Sequence, residues 1–409
     1  MPDPLPLEEA LARVLEAVPP PRTGSIPLDR ALGLRLAEPV RADRDLPPFD
    51  RATVDGYAVD SSDPAVGREP LAVIETVFAG SRPRRRLRGG CAVLVMTGAP
   101  LPRGADAVVR REKTHVLGRN EFVVLDGRPK AGTGIHVRGT DLRRGREALA
   151  AGTVITPAAV AVLAAVGAAM PRVVLRPRVA VAATGDELRP VEAGRLPAAA
   201  IRNSNGPTVE ALVAAAGGEP VRLGRAGDDA ADLKRVVSAG LRGNDVLVLT
   251  GGVSMGDLDL VPGVLAAAGV KCLFHRIRLR PGKPVWFGRR SRTLVFGLPG
   301  NPVSVQVTFA LLVAPALAAL RGDPDPEPVL LDARLEGTLP AEGGREAFLP
   351  ARARWDGKGE LRVRPLPWNG SGDFTGFAGA NALLRRAARA RAARAGARVE
   401  LLALGEIPG

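Results

Sequence analysis

The sequence predicts a multi-domain protein of α/β plus β class, organised around one doubly wound sheet domain. From about residue 177 short apolar runs alternate strictly with helical segments, the pattern of a mostly parallel sheet covered by helices on both faces. Residues 46–145 are instead cut by Gly and Pro into short extended runs, which reads as a β-rich unit inserted between two helical segments. Beyond Pro326 the chain is again short-stranded and turn-rich, as in a small barrel or sandwich.

In chain order, Leu7, Leu11, Val14, Leu15 and Val18 recur at helical spacing until Pro19–Pro21 stop the pattern. The β unit carries extended runs at Leu71–Phe78, Ala92–Met96, Ala107–Val109 and Phe122–Leu125. A second helix, Pro157–Ala169, has Pro in its first turn and ends at Pro171. The alternating part then reads strand Val179–Ala183, helix Pro207–Ala216, strand Pro220–Leu223, helix Asp229–Leu241 and strand Val246–Leu249. Helix Leu260–Ala268, an extended run Leu273–Leu279, strand Leu294–Phe296 and helix Pro302–Leu320 complete it. Gly322–Pro326 reads as a linker. The expected division is 1–45 with 146–176 as an elongated helical part, 46–145 as the inserted β domain, 177–326 as the α/β domain and 327–409 as the C-terminal β domain.

A chain of 409 residues is long enough for several cores, and with aromatics at 3% those cores fall to Leu, Val and Ala. The formal charge of +14 comes mostly from Arg spread along the whole length. With few aromatic platforms and no reading helix, it indicates small anionic substrates rather than nucleic acid. Two cysteines, Cys91 and Cys272, and three scattered histidines suggest no zinc site and a reducing compartment. The start of the chain lacks a basic, apolar leader, and the apolar run Ala158–Met170 is short of the roughly 20 residues a bilayer requires. The expectation is a cytoplasmic protein with no membrane partner.

The chemistry should gather where the strands end. In a doubly wound sheet the loops after the strands collect at one edge. Here they read Thr184–Gly185–Asp186–Glu187, Gly227–Asp228–Asp229, Gly251–Gly252–Val253–Ser254, Pro281–Gly282–Lys283–Pro284 and Gly297–Leu298–Pro299–Gly300–Asn301–Pro302. Glycines let the backbone approach a ligand, and Asp257 and Asp259 follow the central loop. Asn301 is placed as N-cap, with Pro302 as the first residue of a long apolar helix whose N-terminus attracts an anion. Arg276, Arg278 and Arg280, alternating on one face of an extended run before Lys283, make an oxyanion clamp. Cleaving a pyrophosphate bond needs such cations and a carboxylate-held metal. For Mg²⁺, one or two of Asp186, Glu187, Asp228 and Asp259 suffice.

Together with Pro48–Phe49–Asp50, Asp55–Gly56–Tyr57–Ala58 and Met96–Thr97–Gly98–Ala99, these motifs stand in an order that resembles the molybdopterin molybdenumtransferase family, the MoeA-type proteins, which includes the C-terminal domain of gephyrin. The resemblance implies an elongated four-part homodimer whose α/β domain is similar to the MoaB and MogA proteins. It implies a reaction of adenylylated molybdopterin with molybdate that releases AMP with Mg²⁺. By position it makes Asp55, Thr97, Asp141, Glu187, Asp228 and Asp259 catalytic. It makes Gly251, Gly252, Ser254, Arg276, Arg280, Lys283, Pro299, Asn301, Arg345 and Ser371 substrate-binding. The partners it implies are a second copy of the chain, molybdopterin adenylyltransferase and molybdoenzyme apoproteins. It also implies that each site draws residues from both chains of the dimer.

Two departures stand out. Thr140 replaces an expected acidic residue and so leaves the partner of Asp141 open, and arginines stand at 276 and 280 where some relatives have lysine. The alternative enzyme, a molybdopterin adenylyltransferase, would need only the middle domain and would consume ATP. A gephyrin-like binding scaffold is the alternative outside enzymes, and would leave adenylylated molybdopterin untouched.

Overall fold

The computed structural model describes residues 3–119, 121–253 and 260–409. The chain divides into two compact units, 25–173 and a second that joins 1–24 to 174–409.

The 25–173 unit is built on β1 (Gly56–Val59), β2 (Leu71–Val77), β3 (Cys91–Val95), β4 (Ala107–Arg110), β5 (Thr114–Leu117) and β6 (Phe122–Leu125), in the order β4-β1-β3-β2-β6-β5. Central β1 is buried along its whole length, because alternate residues face two cores: Tyr57 and Val59 pack with Leu71, Leu94 and Val123, and Ala58 packs with Val93, Val95 and Val108. The Pro-led helix expected near residue 157 runs Pro157–Ala165, and the Thr156 hydroxyl caps it by accepting from Ala159 N–H.

In the other unit, β7 (Arg178–Thr184), β8 (Glu219–Ala226), β9 (Val246–Thr250), β10 (Lys271–His275), β11 (Trp286–Arg290) and β12 (Thr293–Leu298) form one sheet in the order β8-β7-β9-β12-β11-β10. The first four strands are parallel, and β11 runs against both of its neighbours, β12 and β10. Alternation along the strands explains the double winding. Val179, Val181, Val246, Val248, Leu294 and Phe296 pack with Val209 and Val213 of the helix Asn205–Ala215 and with the helix Pro302–Leu320. Ala180, Ala182, Leu247, Leu249 and Val295 face the other way, onto Leu233, Val236 and Val237 of helix Ala230–Gly240 and onto Val261 and Leu265 of helix Val261–Ala267. Helix Pro302–Leu320 is apolar enough to resemble a membrane span, but its most apolar window is 72% buried inside the unit, as a core helix is.

The first helix, Leu7–Ala17, differs in placement from the sequence expectation. Its buried residues Ala10, Val14 and Ala17 join the α/β core, so it belongs to the sheet unit and not with segment 146–176. The single-faced run of arginines also differs. β10 ends at His275, Arg276 takes a left-handed φ of 75°, and Leu279–Arg280 forms a separate two-residue strand beside the C-terminal domain. β11, which has no counterpart in the sequence reading, fills the place between β10 and β12.

The C-terminal strands β13 (Leu330–Leu335), β14 (Glu346–Trp355), β15 (Leu361–Pro365), β16 (Ala382–Arg386) and β17 (Arg398–Ala403) pair in a ring, β14-β15-β13-β17-β16 and back to β14. A closed five-stranded barrel results, filled by small and branched residues such as Ala347, Ala351, Val363, Leu384 and Leu401.

Candidate active site

Strand register fixes where the loops of the sheet unit meet. Thr184 lies opposite Ala226, Ala183 opposite Thr250, and Thr250 opposite Leu298. Four strands therefore end level, and the Thr-Gly-Asp-Glu, Gly-Asp-Asp, Gly-Gly and Leu-Pro-Gly-Asn loops leave from one edge. They enclose a cavity of about 610 Å³ lined by Thr184, Gly185, Glu187, Asp228, Gly251, Gly252, Pro299 and Asn301, among others. Asp186 sits just behind it. Its N–H donates to Asp228 Oδ2 at 3.0 Å while its own Oδ1 accepts from Asp228 N–H at 3.3 Å, so the two loops brace each other.

The central loop needs its glycines. Gly251 has a φ of 89°, and a Cβ there would lie 2.8 Å from the Thr184 carbonyl oxygen; at Gly252, φ 63°, it would lie 2.8 Å from Val261 Cγ2. Ser254 and Asp259, named from the sequence, lie outside the described residues, as does Asp257. The sequence reading passed over Asn203, Ser204 and Asn205, which line the same cavity, with Asn205 Nδ2 donating to the Gly300 carbonyl at 2.7 Å. The signal was available, because Asn-Ser-Asn stands directly before a helix on this edge.

A second cavity of about 630 Å³ adjoins the first and shares Pro284, Pro299, Gly300 and Asn301 with it. It is lined by Arg280, Lys283, Arg345 and Ser371. The barrel reaches it because Leu279–Arg280 pairs with Glu346–Ala347 of β14. Asn301 stands at the N-cap by backbone position, but its side chain makes no cap; Nδ2 donates instead to Ser371 Oγ at 2.8 Å, tying sheet loop to barrel loop. Arg280 pairs with Glu342 at 2.7 Å, whereas the Lys283 ammonium has no partner among the described residues. Arg276 lines neither cavity.

In the 25–173 unit the three remaining residues named from the sequence, Asp55, Thr97 and Asp141, fall at two places, again set by register. Gly56 lies opposite Val95, so Asp55 before β1 meets Thr97 after β3. Asp55 Oδ1 accepts from both the N–H and the hydroxyl of Thr97, at 2.7 Å each. These bonds, the backbone one first, and Arg111 nearby hold the Asp55 carboxyl below its usual value. His136 lies opposite Arg51, and His136 Nε2 reaches Asp141 Oδ1 at 2.9 Å while Arg51 approaches Nδ1 at 3.2 Å. Asp141 thus has a partner in His136, which the sequence reading set aside with the other histidines.

Among the described residues no group of three or more His, Cys, Asp or Glu side chains could hold a metal by itself. Glu187 and Asp228 on the wall of the first cavity nevertheless fit Mg²⁺, which needs only one or two carboxylates when substrate phosphates and water complete its shell.

Comparison with known proteins covers most of the chain. It matches, in order, the MoeA N-terminal region (domain I and II) at residues 5–167, a probable molybdopterin binding domain at 180–319 and the MoeA C-terminal region (domain IV) at 332–404. It is 34% identical to the molybdopterin molybdenumtransferase of Bacillus subtilis (strain 168), over 99% of this chain and 95% of that relative. The enzyme of the same name from Staphylococcus aureus (strain N315) is 33% identical, over 98% and 96%. The crystal structure of the molybdopterin biosynthesis MoeA protein from Pyrococcus horikosii is similar at a TM-score of 0.85 and 32% identity, over 99% of this chain and 100% of that one.

Proposed function

The chain belongs to the MoeA family of molybdopterin molybdenumtransferases, enzymes that put molybdenum into molybdopterin, and on that premise we propose the finer course of its reaction. Adenylylated molybdopterin and molybdate are its substrates, Mg²⁺ assists, and cleavage of the phosphoanhydride releases AMP. The observation that carries this reading is the pair of adjoining cavities. One has a glycine-lined wall with two carboxylates and the other three cations, and they share Pro299 and Asn301.

In this reading the pterin nucleotide lies along the Gly251–Gly252 loop, where the missing side chains let phosphates approach backbone. Glu187 and Asp228 would hold Mg²⁺, which supplies charge neutralisation for the phosphoryl oxygens. Arg280, Lys283 and Arg345 hold the oxyanion, with Ser371 and Asn301 fixed beside it by their mutual hydrogen bond. The protein's contribution is positioning and charge rather than covalent chemistry.

Asp55, Thr97 and Asp141 are proposed to act in the same reaction, and the working form is proposed to be a cytoplasmic homodimer. Molybdopterin adenylyltransferase would supply the substrate and molybdoenzyme apoproteins would receive the product.

The test is incubation of the purified chain with adenylylated molybdopterin, Mg²⁺ and molybdate while AMP is followed by chromatography. AMP should appear only when molybdate is added. Consumption of ATP in its place would move the assignment to the adenylyltransferase step, and an untouched substrate would overturn it. Sedimentation of the same preparation tests the dimer.

A further inference from the structure

We propose that Glu342 sets the charge of the oxyanion cavity and thereby makes it selective for a divalent anion over a more highly charged one. The inference rests on reading that cavity as an oxyanion site and adds the residue that governs its specificity.

Glu342 lies in the loop between β13 and β14, and no motif pointed to it. Its backbone is anchored where its N–H donates to the Ala390 carbonyl at 2.8 Å. One carboxylate oxygen accepts from Gly343 N–H at 3.0 Å and the other from Arg280 at 2.7 Å. The carboxylate is 7% exposed, so it cannot leave Arg280 for water without rearranging the loop. Arg280 in turn lines the cavity with its side chain 43% exposed, and only one of its terminal nitrogens is bonded to Glu342, so the guanidinium keeps donors to offer a ligand.

The charge balance follows. Three cations line the cavity, Arg280, Lys283 and Arg345, and the bonds of Lys283 and Arg345 to described residues include no carboxylate, since Arg345 donates to the Leu279 carbonyl at 3.5 Å. Glu342 cancels one of the three charges and leaves two. A tetrahedral dianion is then neutralised, whereas a trianion or pyrophosphate meets the fixed carboxylate behind Arg280 with charge left over. The repulsion grows with ligand charge, so the same carboxylate penalises pyrophosphate more than sulfate.

The experiment is calorimetric titration of the full chain with sulfate, molybdate and pyrophosphate at low ionic strength, for wild type and Glu342→Gln, which keeps the shape and removes the charge. The variant is expected to hold sulfate and molybdate about ten-fold more tightly and pyrophosphate by a still larger factor, so that discrimination collapses. Unchanged affinities, or an equal gain for all three anions, would overturn the proposal while leaving the oxyanion site standing. If neither protein binds any of the three, the reading of the cavity and the role of Glu342 fall together. Should Glu342→Gln melt before it can be titrated, Arg280→Gln is read instead: it leaves the carboxylate unbalanced and should cost pyrophosphate more affinity than sulfate, and equal losses would overturn the proposal.

Discussion

Thr97 gives Asp55 two hydrogen bonds to a single carboxylate oxygen, one from its backbone N–H and one from its hydroxyl, both at 2.7 Å. Both bonds are to the charged form, so the Asp55 carboxyl titrates below its ordinary value. A folded-state value below the unfolded one adds stability that is fully present above the unfolded value and disappears as pH falls through the folded one.

Thr97→Val should raise the Asp55 value only part of the way back, because the larger cause, the backbone N–H, survives. Thr97→Ser should leave it where it is. Carboxyl carbon resonances followed from pH 6 down to 2 measure this directly, and equal titration in Thr97→Val and wild type would show that the hydroxyl contributes nothing.

Arg51 carries only donors, so its approach to His136 Nδ1 makes that nitrogen the acceptor and leaves the ring proton on Nε2, facing Asp141. Long-range nitrogen–proton correlation at pH 8 should therefore find His136 as the Nε2–H tautomer. In Arg51→Ala the two tautomers should mix. A Nδ1–H ring in the wild type would remove His136 as the residue that orients Asp141.

Gly251 and Gly33 share a left-handed backbone but not their surroundings: a Cβ at Gly33 meets nothing within 4 Å, whereas at Gly251 it meets backbone at 2.8 Å. Gly33→Ala should cost about 1 kcal/mol for the backbone conformation alone. Gly251→Ala should cost roughly 1–3 kcal/mol more, the scale of overpacking, and should also distort the cavity wall. Urea denaturation of the two variants compares them, and equal losses would mean that the loop moves freely.

Lys283→Ala removes an ammonium that no described residue uses, so the fold should be unaffected while oxyanion affinity falls by about 1.5–3 kcal/mol, the scale of a charge-assisted hydrogen bond. Titration with molybdate reads the loss. Unchanged affinity would place Lys283 in solvent only.

The sequence made the doubly wound sheet legible because Val179–Ala183 and Val246–Leu249 are continuous apolar runs of strand length between helical periods, and such runs suit strands buried on both faces. The segment after β10 was not legible. Apolar and arginine residues alternate through Ile277–Arg280 as in a strand, yet Arg276 turns left-handed and Ile277 bonds to the Lys283 carbonyl, a tertiary pairing that periodicity does not record. The first helix was readable as a helix, but what its buried face packs against was not, since Ala10 and Val14 would suit any apolar neighbour. At the site, glycines and carboxylates announced themselves by type and place. His136 and Glu342 did not, because their roles come from cross-strand register and loop packing.

The carboxylates of the first cavity divide their work unevenly, and this bears on metal binding. Asp186 and Asp228 each spend an oxygen on the other's backbone N–H, and Asp186 is also 3.5 Å from Arg225, which already offsets its charge. Glu187 makes no such bond to any described residue and lies over Gly185, whose φ of 141° and lack of a Cβ make room for the carboxylate. Glu187 and Asp228 are therefore the pair expected to hold Mg²⁺. Glu187→Gln and Asp228→Asn should each raise the half-saturating Mg²⁺ concentration for AMP release by about ten-fold or more, the equivalent of one charged ligand, with turnover recovered in part at high Mg²⁺. Asp186→Asn should shift it much less. Mn²⁺ titrated into each variant with AMP present, and read by electron paramagnetic resonance, gives the same ranking without relying on turnover. Equal metal affinity in wild type and Glu187→Gln would take Glu187 out of the metal site and leave the charge neutralisation to the remaining carboxylates.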